Sequence, residues 1–398
     1  MRVGEKRKNE KSDMTPNSSS GKILHLCMDH NFVSDSRRVF EKYYPGLNIF
    51  VVNTKTPDLK MIKDKEGFIC LDLYDRKNYA EVLRLCRENN IDRIVLHGMR
   101  DYMLFLLRFL RKECDFRVFW IVWGYELYET LGYEKGYRLF DRPFPLFSRL
   151  RYYTPNSLSR IIRKVTNNYR PGRFAKIFGM VDYFCFWNKR DYELLKNNFD
   201  VKAGFRFFSY NANETDSEPA DLFELRVRKL ETVMINHQAS VFGNHEKVFE
   251  RLKEIDRDNT LQKIVPLSYG HPMIRSRVLK SGQKKFGRMF RPVTDYMSRD
   301  EYFRILDRVD VAVFGQRRQE ASGNIIQLLK NGVKVFLRND NNLLDYYREK
   351  GYLIYSFDDD LNDMESLKPL TIEEQRHNRE CFMRNRLYYD RFMPHLLD

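Results

Sequence analysis

Residues Gly315 to Leu337 read GQRRQEASGNIIQLLKNGVKVFL and follow the apolar run VDVAVF at Val309–Phe314. The pattern predicts a buried strand, a polar loop QRRQEAS at its C-terminal end, a helix GNIIQLLKN, a stop at Gly332 and a second strand VKVFL. Two strands joined through a helix make the βαβ unit of a parallel sheet. The same alternation extends on both sides of the stretch. TVMIN, the helical VFERLKEI and KIVPLSYG precede it, and earlier still KILHLCMD, NIFVVN, RIVLHG and RVFWIVWG alternate with the helical YAEVLRLCREN and YMLFLLRFLRK.

The predicted fold class is therefore α/β, with two Rossmann-like domains. Residues 1–21, rich in Lys, Ser and Asn, read as a disordered tail. The first domain is expected over 22–210, a linker over 211–230 that includes the polar NANETDSEPAD, the second domain over 231–370, and a C-terminal helix over 371–398 that packs back on the first. No repeat of solenoid length is visible.

At 398 residues, with 42% hydrophobic and 14% aromatic side chains, the chain is long and apolar enough for two cored domains. A formal charge of +15 calls for an anionic partner: nucleic acid, an anionic membrane or a phosphorylated substrate. The six cysteines lie far apart without a CxxC pair, which predicts reduced, mostly buried thiols. The basic, polar N-terminus has no apolar signal core, and no run approaches the roughly 18 apolar residues of a membrane span, so a cytoplasmic location is expected.

Ligands of open α/β sheets bind beyond the carboxyl ends of the strands, where a helix N-terminus offers unpaired N–H groups to an anion. Arg317 and Arg318 stand at such a place and are candidates for charge-assisted bonds to phosphate. Tyr269, after the strand KIVPL, is placed to stack on a base or sugar. Asp29 and His30, after ILHLCM, occupy the corresponding loop of the first domain.

Several motifs together carry a family resemblance. WGYELY (Trp123–Tyr128), INHQASVFGNHEKVFERL (Ile235–Leu252), VPLSYG (Val265–Gly270), FGRMFRPVTDYMSRDEYFRIL (Phe286–Leu306) and RRQEASGNIIQLL (Arg317–Leu329) follow one another in an order that resembles the bacterial 4-acetamido-4,6-dideoxygalactose (N-acetylfucosamine) transferases, glycosyltransferase family 56. The resemblance covers about Lys22 to Asn341. It implies a GT-B fold, two Rossmann-like domains facing a central cleft. It also implies inverting transfer of N-acetylfucosamine from a nucleotide diphosphate, dTDP- or UDP-linked, to a polyprenyl-diphosphate-linked saccharide in enterobacterial common antigen synthesis. The nucleotide sugar is then a substrate and no cofactor is implied.

The resemblance distributes roles over this sequence. His237, Ser240, Asn244 and His245 fall to donor binding. Gln319 and Gln327 stand where GT-B glycosyltransferases carry two acids eight apart, and Asn324 lies one turn before the second. Amides bind hydroxyls but supply no charge. Asn236, His237 and Gln238 likewise replace a Gly-Asn-Ser triplet. An inverting displacement needs one base on the acceptor hydroxyl, for which Asp29, His30 and Glu126 are the candidates.

Metal is not expected: Asp256/Asp258 and Asp358/Asp360 read as a charged helix tail and an acidic loop. From Tyr137 to Phe178 ten Arg or Lys stand against one Asp, interleaved with aromatics. That composition suits an anionic membrane surface, with Arg149, Arg151, Arg163 and Lys164 facing it, and predicts a peripheral protein of the inner membrane's cytoplasmic face. Nucleic acid is the weaker reading, since no RNP, KH or helix-turn-helix signature is present. The competing functional classes are a GT-B transferase for another amino-deoxy sugar and a non-catalytic basic module that binds membrane or nucleic acid.

Overall fold

In the second half of the chain, alternate residues of each short strand go to opposite cores. Val233 and Ile235, Val311 and Val313, and Phe336 belong to one apolar cluster, whereas Met234, Ala312, Val335 and Leu337 belong to another. A strand buried on both faces, with a period of two, is what a parallel sheet covered by helices on each side requires. The computed structural model, which describes residues 21–141, 165, 170–214 and 222–398, bears this out.

Two parallel sheets are present. The first contains β1 (Ile23–Met28), β2 (Asn48–Asn53), β3 (Phe68–Leu71), β4 (Arg93–His97), β5 (Arg117–Ile121), β6 (Tyr183–Cys185) and β7 (Gly204–Arg206), in the order β3-β2-β1-β4-β5-β6-β7. The second contains β8 (Thr232–Ile235), β9 (Gln262–Pro266), β10 (Phe290–Val293), β11 (Val311–Val313), β12 (Lys334–Leu337) and β13 (Tyr355–Ser356), in the order β10-β9-β8-β11-β12-β13. Strand order reverses between β8 and β11, so the loops that leave those two strands flank a topological switch point.

Twelve helices are described: α1 (Asn31–Tyr43), α2 (Tyr79–Glu88), α3 (Met103–Leu110), α4 (Tyr125–Lys135), α5 (Arg170–Phe178), α6 (Lys189–Asn198), α7 (His245–Ile255), α8 (Pro272–Phe286), α9 (Arg299–Asp307), α10 (Ser322–Lys330), α11 (Asn342–Glu349) and α12 (Ile372–Arg384). The sequence signals of their ends operate. Ser298 and Thr371 make capping boxes with Glu301 and Glu374, and Gly332, after α10, has φ +74°.

By contacts the chain divides into two compact units. One runs to Leu96 and takes back Phe105–Phe119; the other holds His97–Leu104 and everything from Trp120. In the first, Ile23, Leu24, Leu26, Val33 and Phe40 form a core around β1 and α1. In the second, α12 lies against α10, and the tail beyond it returns to residues 207–213: Tyr389 donates to the Tyr210 carbonyl at 2.8 Å and Phe392 packs on Phe207 and Phe208. None of the six cysteines is in a disulfide, and Cys27, Cys86, Cys185 and Cys381 are buried. Among the described residues no helix is long and apolar enough to cross a membrane. Arg149, Arg151, Arg163 and Lys164 lie outside the described residues, as does the tail before Gly21.

Candidate functional site

Three loops meet at the C-terminal edge of the second sheet: Asn236–Asn244 after β8, Ser268–His271 after β9 and Phe314–Ala321 after β11. Asn236 has φ +57°, a left-handed conformation that asparagine tolerates and glycine usually fills. Its amide then ties two loops, donating to the Gly243 carbonyl at 2.9 Å and accepting from the Gly315 N–H at 2.8 Å. Gly315 has to be glycine, because a Cβ there would collide with the Gly243 backbone. Gly270, at φ +114°, meets the Ala239 backbone in the same way.

Asn244, also left-handed, holds the edge together with one side chain. It donates to the carbonyls of Phe242, Gly315 and Leu139 and accepts the Asp141 N–H at 2.9 Å. Segment 137–141 is fastened further: Tyr137 donates to the Asp340 carbonyl at 2.9 Å and Phe140 stacks on Phe242. At its end the buried Asp141 carboxylate receives Nε and Nη2 of Arg317, at 3.0 and 2.7 Å, together with Nη1 of Arg338. Arg317 also pairs with Asp340, and Arg338 with Asp358 at 2.9 Å. Burial pushes the Asp141 carboxyl up, but the bonds from Arg338 and Arg317 outweigh it and hold it below the usual range.

Arg318, the next residue, has different surroundings. It is 8% exposed, its guanidinium carbon lies 3.7 Å from the centroid of the Phe242 ring, and its Nη2 approaches Glu320 at 3.6 Å. Its Nε and Nη1 are buried with no hydrogen-bond partner. Buried N–H groups on a cation are rarely left so, and an anion is the partner they fit. Glu320 accepts from Gln238 at 2.7 Å through one oxygen, while the other is buried without a partner.

Around this pair stand other expected residues. His237 is buried and kept neutral by burial against the pull of Glu320, and its ring faces Tyr269 edge-on at 6.4 Å. Tyr269 is half-exposed on the loop after β9. His245, lowered to about 3 by burial, begins α7 with Nε2 unpaired. Ser240 accepts from the Phe242 N–H. Gln319 lies over the Gly124 backbone, Asn324 is half-buried near the start of α10, and Gln327 is buried within it.

Each of the three candidate bases is engaged in bonds of its own. Asp29 accepts three backbone N–H bonds, from Lys60, Met61 and Ile62, at 2.6–2.9 Å. His30 caps α1, its Nδ1 accepting from the Phe32 N–H, which places the neutral ring's proton on Nε2. Glu126, wholly buried in the first turn of α4, accepts from Trp120 Nε1 and the Trp123 N–H through one oxygen; the other has no partner. Burial raises its carboxyl to about 7.

Three of the four carboxylates of the two Asp-x-Asp pairs have bonds of their own. Asp256 pairs with the buried Lys263, Asp358 with Arg338, and Asp360 accepts the Ser356 N–H. Sequence reasoning missed Asp141, Gln238, Glu320, Arg338 and Asp340. Glu320 adjoins the predicted arginines and was the one most open to inclusion. Asp141 and Arg338 meet only through the fold.

No protein-family model matches the sequence. Solved structures do match it. A glycosyltransferase from Rickettsia africae superposes with a TM-score of 0.58 at 10% identity over 94% of this chain and 95% of that one. Sucrose-phosphate synthase from Thermosynechococcus elongatus gives 0.58 at 10% over 93% and 96%. Anabaena HepE in complex with UDP-glucose gives 0.56 at 9% over 92% and 96%. With its two parallel sheets of seven and six strands, the chain has the GT-B fold of these proteins.

Proposed function

We propose that this protein is a glycosyltransferase that draws on a nucleotide-diphosphate sugar, and more particularly that it moves a 4-acetamido-4,6-dideoxygalactose type sugar from a dTDP- or UDP-linked donor to a polyprenyl-diphosphate-linked saccharide. The reading includes inversion at the anomeric carbon, independence of metal, and work on the cytoplasmic face of a bacterial inner membrane. The observation that carries it is Arg318: a buried guanidinium with two unpartnered nitrogens, at the strand-end loop beside the switch point of the second sheet. A diphosphate supplies the anionic oxygens such a group lacks. The motif series from Trp123 to Leu329 supports the sugar class, and the fold shared with HepE in complex with UDP-glucose supports the donor class.

In this reading Tyr269 and His237 receive the base or sugar, Glu320 and Gln238 its hydroxyls, and Arg318 the leaving diphosphate. Arg317 acts by fixing the loop, since two carboxylates already close its fork. Calorimetric titration with UDP and dTDP tests the assignment. Arg318→Ala is expected to weaken nucleotide diphosphate binding about 10- to 100-fold, the worth of a charge-assisted bond. Unchanged affinity for both nucleotides would sink it. Turnover of Asp29→Asn, His30→Ala and Glu126→Gln, each with donor binding retained, sorts the base.

A further inference from the structure

An open pocket has walls from the chain around Trp187, residues 209–213, the start of α10 at Ser322, Gly323 and Ile326, the end of α11 and the end of α12. It shares no residue with the Arg318, His237 and Tyr269 cluster. Five aromatic residues line it: Trp187, Tyr346, Tyr347, Tyr352 and Phe382. Neighbouring rings are nearly perpendicular, at 81° for Trp187 and Tyr346, 78° for Tyr346 and Tyr347, and 83° for Tyr347 and Tyr352. Such walls present edges and single faces rather than a parallel slot, so they suit a puckered ring better than a flat base sandwiched on both sides.

The polar lining points the same way. Ser209, Asn211, Ser322 and Asn385 bring hydroxyl and amide groups from three separate segments, a spread that matches a ring bearing hydroxyls on several sides. Its charged members are both cations. Lys350 is exposed at the rim with Nζ 5.9 Å from the Tyr346 ring centroid, and Arg386 is buried deeper, with Nη2 on Asn213 at 3.2 Å. Among the described residues no Asp or Glu lines the pocket.

We propose that this pocket binds an anionic saccharide, a sugar ring that carries a carboxylate or a phosphate, through residues distinct from those of the donor edge. The rings take the apolar faces of the sugar, the amides and hydroxyls its hydroxyl groups, and Lys350 its charge. The proposal stands apart from the transferase reading, because none of its residues is assigned to donor or base.

The test is a titration of the full chain with glucuronate, glucose 6-phosphate, glucose and glucosamine, followed by tryptophan fluorescence and by calorimetry. Glucuronate or glucose 6-phosphate should give saturable binding with a half-point near ~1 mM, and the stronger of the two identifies the anion. Glucose should bind at least about tenfold more weakly, and the cationic glucosamine should give no binding, as a loss of one charge partner implies. Lys350→Glu, at an exposed side chain whose change leaves the core intact, should abolish the signal without lowering the melting temperature. Trp187→Phe should remove the fluorescence change and leave the calorimetric heat. No saturable binding of either anionic sugar up to ~50 mM would overturn the proposal. So would equal binding of glucosamine, or full binding by a folded Lys350→Glu variant.

Discussion

Arg317 and Arg318 are adjacent in sequence and equally buried, yet one guanidinium is closed between Asp141 and Asp340 while the other keeps two nitrogens without a partner. The same contrast separates two buried carboxyls. Asp141 is bonded by Arg138, Arg317 and Arg338 and is held below its usual range, whereas Glu126 accepts from the neutral N–H groups of Trp120 and Trp123 and is raised to about 7. A paired buried charge holds structure together; an unpaired one costs stability and marks a place where something else binds or titrates.

Substitution can break that contrast, and the largest effect is expected at the paired side. Arg317→Ala leaves Asp340 without its ion-pair partner and removes one of the three arginines that bond Asp141, the others being Arg138 and Arg338, and should cost about 3–5 kcal/mol in denaturant unfolding. A loss under about 1 kcal/mol would show that the network is not a structural clasp. The unpaired carboxyl comes next. The folded-state value of Glu126 lies above its ordinary 4.5, so its share of stability is fully present below pH 4.5 and is lost as pH rises through about 7. Glu126→Gln should flatten that fall by up to about 3 kcal/mol between pH 5 and 8, leaving the part that comes from Asp191, which burial raises to about 6. Parallel melting curves for both proteins over that range would count against a buried, uncompensated Glu126.

Smaller effects sharpen the picture. Gly270→Ala places a side chain at φ +114° against the Ala239 backbone and should cost about 2 kcal/mol, read as a shift of the urea midpoint. Arg318→Ala should alter the stability of the ligand-free protein least, by within about 1 kcal/mol, because it removes a contact with Phe242 and two unsatisfied N–H groups together. Low cost to folding beside a large loss of nucleotide affinity is the signature that separates Arg318 from Arg317.

Much of the fold was legible because its signals are local. The run NIFVVN is β2 over the same residues, RIVLHG is β4 but for its last residue, and YAEVLRLCREN holds α2. The RVFWIVWG run was read too long: β5 ends at Ile121, and Val122 to Gly124 turn toward α4 through Gly124 at φ +94°. The site was less legible. Arg317 and Arg318 were read together as phosphate partners from their charge and loop position. Nothing in their own neighbourhood distinguishes them, since the groups that do, Asp141 for one and Phe242 for the other, lie 176 and 76 positions earlier. Asn236 shows the same limit: its amide side chain is visible in the sequence, and the left-handed turn it stands in is not.

By itself, then, the sequence determined the alternation of strands and helices, the stops and caps that bound them, and the strand-end position of the Arg317–Glu320 loop. Those follow from periodicity, glycine and capping chemistry, which act over a few residues. Tertiary structure alone decided which of two adjacent arginines is neutralised, which of two buried carboxyls stays low, and that five aromatic residues from Trp187 to Phe382 share one pocket. Charge pairing and burial depend on distances through space between residues far apart in the chain, and no local pattern encodes them.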